Sequence, residues 1–109
     1  MSHEQADEIG LELGRQVAAR LREQPGLLQV ARDNLERWAR LNAGAPSLLR
    51  CYSEWQKILE SPMEEICTLL VSDTEEARRL RRNSPFAGVL SAREVWDLKQ
   101  RFRHATATA

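Results

Sequence analysis

Four prolines, at positions 25, 46, 62 and 85, cut this chain into pieces that each carry a helical hydrophobic period. Proline lacks the amide that a helix interior needs, so it marks helix starts and breaks rather than middles. Turn-forming neighbours reinforce every cut: Pro25-Gly26, Asn42-Ala43-Gly44-Ala45-Pro46, Ser61-Pro62 and Ser84-Pro85. Between the cuts, strand-like alternation of apolar and polar residues is absent. Such a chain is expected to be all-α. The expected architecture is a compact bundle of four to five helices, then an extended apolar segment and a C-terminal amphipathic helix.

The spacing predicts helices over 4–23, 25–41, 46–60 and 62–71, a fifth ending near 82, and a last one over 92–104. In the first, Ile9, Leu13, Val17 and Leu21 form one i, i+4 row, and Ala6, Gly10, Gly14 and Ala18 form a row of small residues beside it. A large ridge next to a small groove lets a neighbouring helix approach closely. That neighbour can belong to the same chain or to a second copy, so a homodimer is a possible use of the row. Leu27, Leu28, Ala31, Leu35 and Trp38 make the buried stripe of the second helix. Leu48, Leu49, Tyr52, Trp55, Ile58 and Leu59 do the same for the third. The fourth is short and strongly apolar. Capping boxes are expected from Ser61 with Glu64 and from Ser91 with Glu94. Val95, Leu98 and Phe102 form the narrow apolar stripe of the last helix, flanked by Trp96. The sequence predicts a structured part over 1–82, an extended segment plus basic helix over 83–104, and a disordered tail over 105–109.

The 109 residues suit one domain, and the formal net charge is zero. Zero charge argues against a generic polyanion binder, whose domain is strongly basic. The two histidines, His3 and His104, lie near opposite ends, where they make poor general bases. Cys51 and Cys67 have no neighbouring cysteine or histidine and read as small apolar residues. No phosphate-cradling glycine loop or metal-ligand spacing occurs. The expectation is a protein that is not an enzyme and needs no cofactor. No apolar run reaches the ~20 residues of a membrane span. The N-terminus, MSHEQADEIG, lacks a secretory pattern, so a cytoplasmic location is expected.

Balanced charge hides a local asymmetry. Residues 61–76 contain five acids and no Lys or Arg, whereas 77–104 contain Arg78, Arg79, Arg81, Arg82, Arg93, Lys99, Arg101 and Arg103 against Glu94 and Asp97. Between the two basic stretches runs an uncharged apolar one, Ser84 to Leu90. Two readings stand side by side: the cations neutralise the preceding acids, or they face a partner. Likewise Phe86, Val89 and Leu90 cover either their own domain or another protein. On the partner reading, Phe86, Val89, Leu90, Trp96 and Phe102 are apolar anchors, and Arg81, Arg82, Arg93, Arg101 and Arg103 supply steering and rim contacts. A nucleic acid is the alternative partner, through the Arg78–Arg82 cluster and the last helix.

The stretches NLERW (34–38), EWQKILE (54–60) and ARRLRRNSPFAGVLSARE (77–94) resemble a group of short bacterial all-helical proteins with an SPF-x-G-x-L stretch near the end. Those proteins resemble the antitoxin partner of two-gene toxin–antitoxin-type modules. The resemblance implies a protein that binds an enzyme encoded nearby and neutralises it. It implies no catalytic residues.

Overall fold

A computed structural model describes residues 3–108, with side chains for residues 5–103. Among them are six α-helices: α1 (His3–Glu23), α2 (Leu28–Leu41), α3 (Pro46–Ile58), α4 (Met63–Val71), α5 (Glu75–Arg81) and α6 (Ala92–Thr108). A 3₁₀ turn, Pro25–Leu27, leads into α2, so Pro25 does open the next element. The described residues include no strand. No helix among them is long and apolar enough to cross a membrane.

The long helix α1 is the spine. It packs chiefly on α4 and also carries α5 and α6, while α2 pairs with α3. The close approach expected of the small-residue row occurs inside the chain. A Cβ built on Gly14 would lie 3.1 Å from the Leu70 carbonyl carbon and closer still to its oxygen. Ala18, one turn on, is fully buried, and its carbonyl accepts a long contact from the Cys67 thiol at 3.7 Å. The lower half of the row is therefore spent on α4 rather than on a second copy. The upper half differs: a Cβ on Gly10 would meet nothing within 4 Å.

Trp55, Leu21, Leu35, Ile66 and Leu70 are among the largest fully buried side chains. The Trp55 indole N–H donates to the Leu80 carbonyl at 3.0 Å, which satisfies the one polar atom such a buried ring carries. Cys51 and Cys67 are buried free thiols. Burial pushes both thiols above the ordinary cysteine range.

Of three expectations about helix ends, two need correction. The Ser61–Glu64 capping box does not form: Pro62 occupies the N-cap position of α4, with no side-chain cap. Proline has no side-chain acceptor to offer there, although its carbonyl takes the Glu65 and Ile66 amides, and Ser61 stands one residue too early. Glu64 instead meets Arg22 at 3.5 Å. The second capping box does form, since Ser91 N–H donates to Glu94 at 3.0 Å and Glu94 N–H to Ser91 Oγ at 3.1 Å. Finally, α6 continues to Thr108 instead of ending at 104. No glycine or proline follows His104, so nothing stops the helix.

The division at residue 83 is not a structural boundary. Pro85 is fully buried, and Phe86, Val89 and Leu90 keep only 4%, 5% and 6% of their surface exposed, all three within the core cluster. Leu98 of α6 is also fully buried. Segment 84–90 is thus a core element without helical form.

Candidate functional site

Burial of segment 84–90 has a specific cause in α2. Asn34 is buried, and its amide donates to two carbonyls of that segment, Pro85 at 2.8 Å and Ala87 at 2.9 Å. Its Oδ1 accepts from Arg37 at 2.6 Å. Phe86 stands edge-on to Trp55, with ring centroids 5.8 Å apart and planes at 83°. Gly88 adopts φ +96, a left-handed conformation that strains any side chain with a Cβ. A turn closed by Val89 N–H to Phe86 C=O at 3.1 Å then sends Val89 and Leu90 inward. The stretches beginning NLERW and SPFAG therefore meet in space through Asn34. Sequence reading missed this residue. Its signal was an asparagine amid the apolar stripe of a helix, where such a residue is unfavourable unless its amide finds partners.

Phe86, Val89 and Leu90 were expected to anchor a partner. That expectation is corrected: they are interior side chains of their own domain. Phe102 is half-buried on α6. Of the five apolar candidates only Trp96 is open to solvent, at 53% exposure.

The arginine cluster is also largely engaged at home. Arg78 pairs with Asp73 at 3.0 Å, and Arg79 with both Glu54 at 2.6 Å and Glu76. The Arg78 hydrogen bond holds the Asp73 carboxyl below its usual range, and the Arg79 hydrogen bond does the same for Glu76. The hydrogen bonds that Arg79 donates to Glu76 and Glu54 raise its own pKa in turn. Arg82 lies 3.9 Å from Asp7. Arg81 is different: it is half-buried, and its Nη1 donates to the carbonyls of Leu69, Leu70 and Ser72 at the end of α4. Burial depresses its pKa. Arg78, Arg79 and Arg81 of α5 thus engage Asp73 and Glu76 of the acidic stretch before them, Glu54 of α3 and the C-terminal end of α4.

What α6 leaves outside is a compact pattern. Arg93 places its guanidinium 5.3 Å from the Trp96 ring centroid, a cation–π distance. At 100° per residue, Arg93, Trp96, Lys99 and Arg103 fall on one side of the helix. All four are exposed, as is Arg101 on the flank. The described acids of α6 are both occupied. Asp97 meets Arg93 at 3.2 Å, and Glu94 binds Arg20 of α1 as well as the Ser91 amide. That amide, and then Arg20, hold Glu94 below its ordinary range. Lys99, Arg101 and Arg103 have no ion pair among the described residues. The face combines a rigid aromatic with excess positive charge and is held on its scaffold from behind by Leu98 and the Arg20–Glu94 pair.

No group of three or more histidine, cysteine, aspartate or glutamate side chains among the described residues could hold a metal ion. No family model, curated protein or solved structure matches this chain.

Proposed function

We propose that this protein is a binding module that docks an acidic surface of a partner protein on the outer face of α6. Trp96 is the apolar anchor; Arg93, Lys99 and Arg103 are the cations around it. The observation that carries the reading is a half-exposed tryptophan, capped by an arginine, on a face whose described acids are already occupied. Tryptophan and arginine dominate binding energy where they occur at interfaces, and unpaired cations steer encounter with an acidic partner. The resemblance to antitoxin partners gives this reading its specific form, in which the partner is an enzyme encoded by the adjacent gene and binding neutralises it.

Deleting residues 84–109 is the wrong test, because it removes Phe86, Val89, Leu90 and Leu98 from the core. Point variants are the right one. Trp96→Ala should weaken binding to the adjacent gene product by roughly 30-fold or more, the hot-spot range. Arg93→Glu with Arg103→Glu should chiefly slow association and flatten its salt dependence. Titration calorimetry and stopped-flow fluorescence read the two effects. Trp96→Ala binding within twofold of the parent refutes the site.

A nucleic-acid regulator is the second reading. It now rests on Lys99, Arg101 and Arg103, because carboxylates or carbonyls of the same chain engage the α5 arginines. It requires duplex DNA or RNA binding that falls steeply with salt.

A further inference from the structure

The outer face of α6 needs an apolar seat for Trp96 with acids beside it, and the chain carries such a surface on α4. Ile66, Cys67 and Leu70 turn into the core. Glu65, Thr68, Leu69 and Ser72, spaced i, i+3, i+4 and i+7, therefore share the other side of that helix. With Glu64 they line an open depression of about 370 Å³, in which Leu69 is the apolar side chain.

These acids are the part of the 61–76 stretch that α5 leaves unspent. Asp73 and Glu76 are taken by Arg78 and Arg79. Glu65 has no ion pair among the described residues, and Glu64, 77% exposed, has only the 3.5 Å contact with Arg22. On α6 the balance is opposite: Lys99 and Arg103 are exposed cations without an ion pair, on the same side as Trp96. The two strips also agree in length, since residues 93–103 of α6 rise about 15 Å and residues 65–72 of α4 about 10 Å. Both helices pack on α1, and within one copy Trp96 stays open to solvent. A formal net charge of zero leaves no overall repulsion between copies.

We propose that the outer face of α6 docks on the α4 depression of a second copy, with Trp96 over Leu69 and with Lys99 and Arg103 toward Glu64 and Glu65. The proposal rests on the reading of α6 as a docking surface and adds its regulation: self-association covers Trp96 until another partner displaces the second copy.

Sedimentation velocity of the full chain over a concentration series is the test. At low salt the mass should rise above one chain as concentration increases, and the association should weaken about tenfold or more between about 0.05 M and about 0.5 M salt. Glu65→Arg with Thr68→Arg blocks the depression, and Trp96→Ala with Lys99→Glu blocks the face. All four positions are exposed, so both variants should keep the helical circular dichroism of the parent. Thr68→Arg alone repeats the first test without touching the acids of the first turn of α4. Each variant by itself should keep the mass of one chain. Mixed, the two double variants should form a one-to-one dimer, because one supplies an intact face and the other an intact depression. A parent that stays single at millimolar concentration, a variant that associates as the parent does, or a mixture that stays single would each overturn the proposal. Binding to the adjacent gene product is read separately, and the α4 variants should bind it at least as tightly as the parent. A single-chain parent whose binding to that product depends on Trp96 loses the self-contact and keeps the α6 reading. A self-associating parent whose binding to that product ignores Trp96 keeps the self-contact and loses the adjacent-gene assignment.

Discussion

Alanine at Gly10 and alanine at Gly14 are the same chemical change, one turn apart on one helix, and should shift stability in opposite directions. At Gly10 the added methyl meets nothing within 4 Å. The substitution then delivers its helix-propensity gain of about 0.5–1 kcal/mol, seen as a rise in thermal midpoint of roughly 3–6 °C. At Gly14 the methyl drives into the backbone carbonyl of Leu70, closer to the oxygen than the 3.0 Å that Cβ atoms keep, with the Arg81 Cδ 3.4 Å away. A carbonyl in a helix cannot rotate aside, so α1 and α4 must separate. Ala18 and Leu70, packed at this contact, lose their close fit as the gap opens. Overpacking of this kind costs about 1–3 kcal/mol or more, and lost contacts along the seam add to it. After subtracting the propensity gain, Gly14→Ala should lose about 2–3 kcal/mol and on the order of 10–15 °C. Urea unfolding followed by helical circular dichroism and tryptophan fluorescence is the assay, with an unchanged m-value required for the comparison. A Gly14→Ala protein as stable as the parent, or a Gly10→Ala protein clearly less stable, would refute the assignment of the α1–α4 contact.

Asn34→Ala strands two carbonyls, one fully buried at Pro85 and one partly buried at Ala87, and should cost about 2–4 kcal/mol by chemical denaturation. Asn34→Asp should be worse at neutral pH, because a carboxylate then faces two acceptors, and should recover relative to Asn34→Ala as acid protonates it. Cys51 and Cys67 are buried with raised thiol pKa values, so a thiol-specific reagent at neutral pH should label neither in the native protein and both in urea. Asp73, Glu76 and Glu94 have depressed carboxyl pKa values in the folded state. Their contribution is therefore present above the ordinary carboxylate pKa and is lost as pH falls through the lower folded values, so stability should decline on acidification below about pH 4. Glu94→Gln should make that acid decline shallower in a pH series of urea midpoints.

Helix content and helix starts were legible because they are local. Proline without an amide, Ser91 with Glu94 three residues on, and acids ahead of α5 all act within one turn, so adjacent residues state them. The α6 face was partly legible for the same reason. Trp96 falls off the Val95, Leu98 and Phe102 stripe, and the helical period alone puts it outward. Cap position was less so: moving one residue, from Ser61 to Pro62, removes a cap without altering the composition that suggested it.

Segment 84–90 lay beyond such reading. Phe86, Val89 and Leu90 announce that they need cover, but apolar side chains are indifferent to whose cover it is. The choice fell to Asn34, fifty-one positions earlier than Pro85, whose two hydrogen bonds tie the segment to α2. The two glycines of α1 show the same limit, being identical in sequence while one is crossed by α4 and the other faces open space. By itself the chain determined that it would be short helices, where they begin, and how much apolar surface they must hide. Only the tertiary structure decided which surfaces hide one another, because burial is nondirectional until an opposing backbone or a hydrogen-bonding side chain selects the partner.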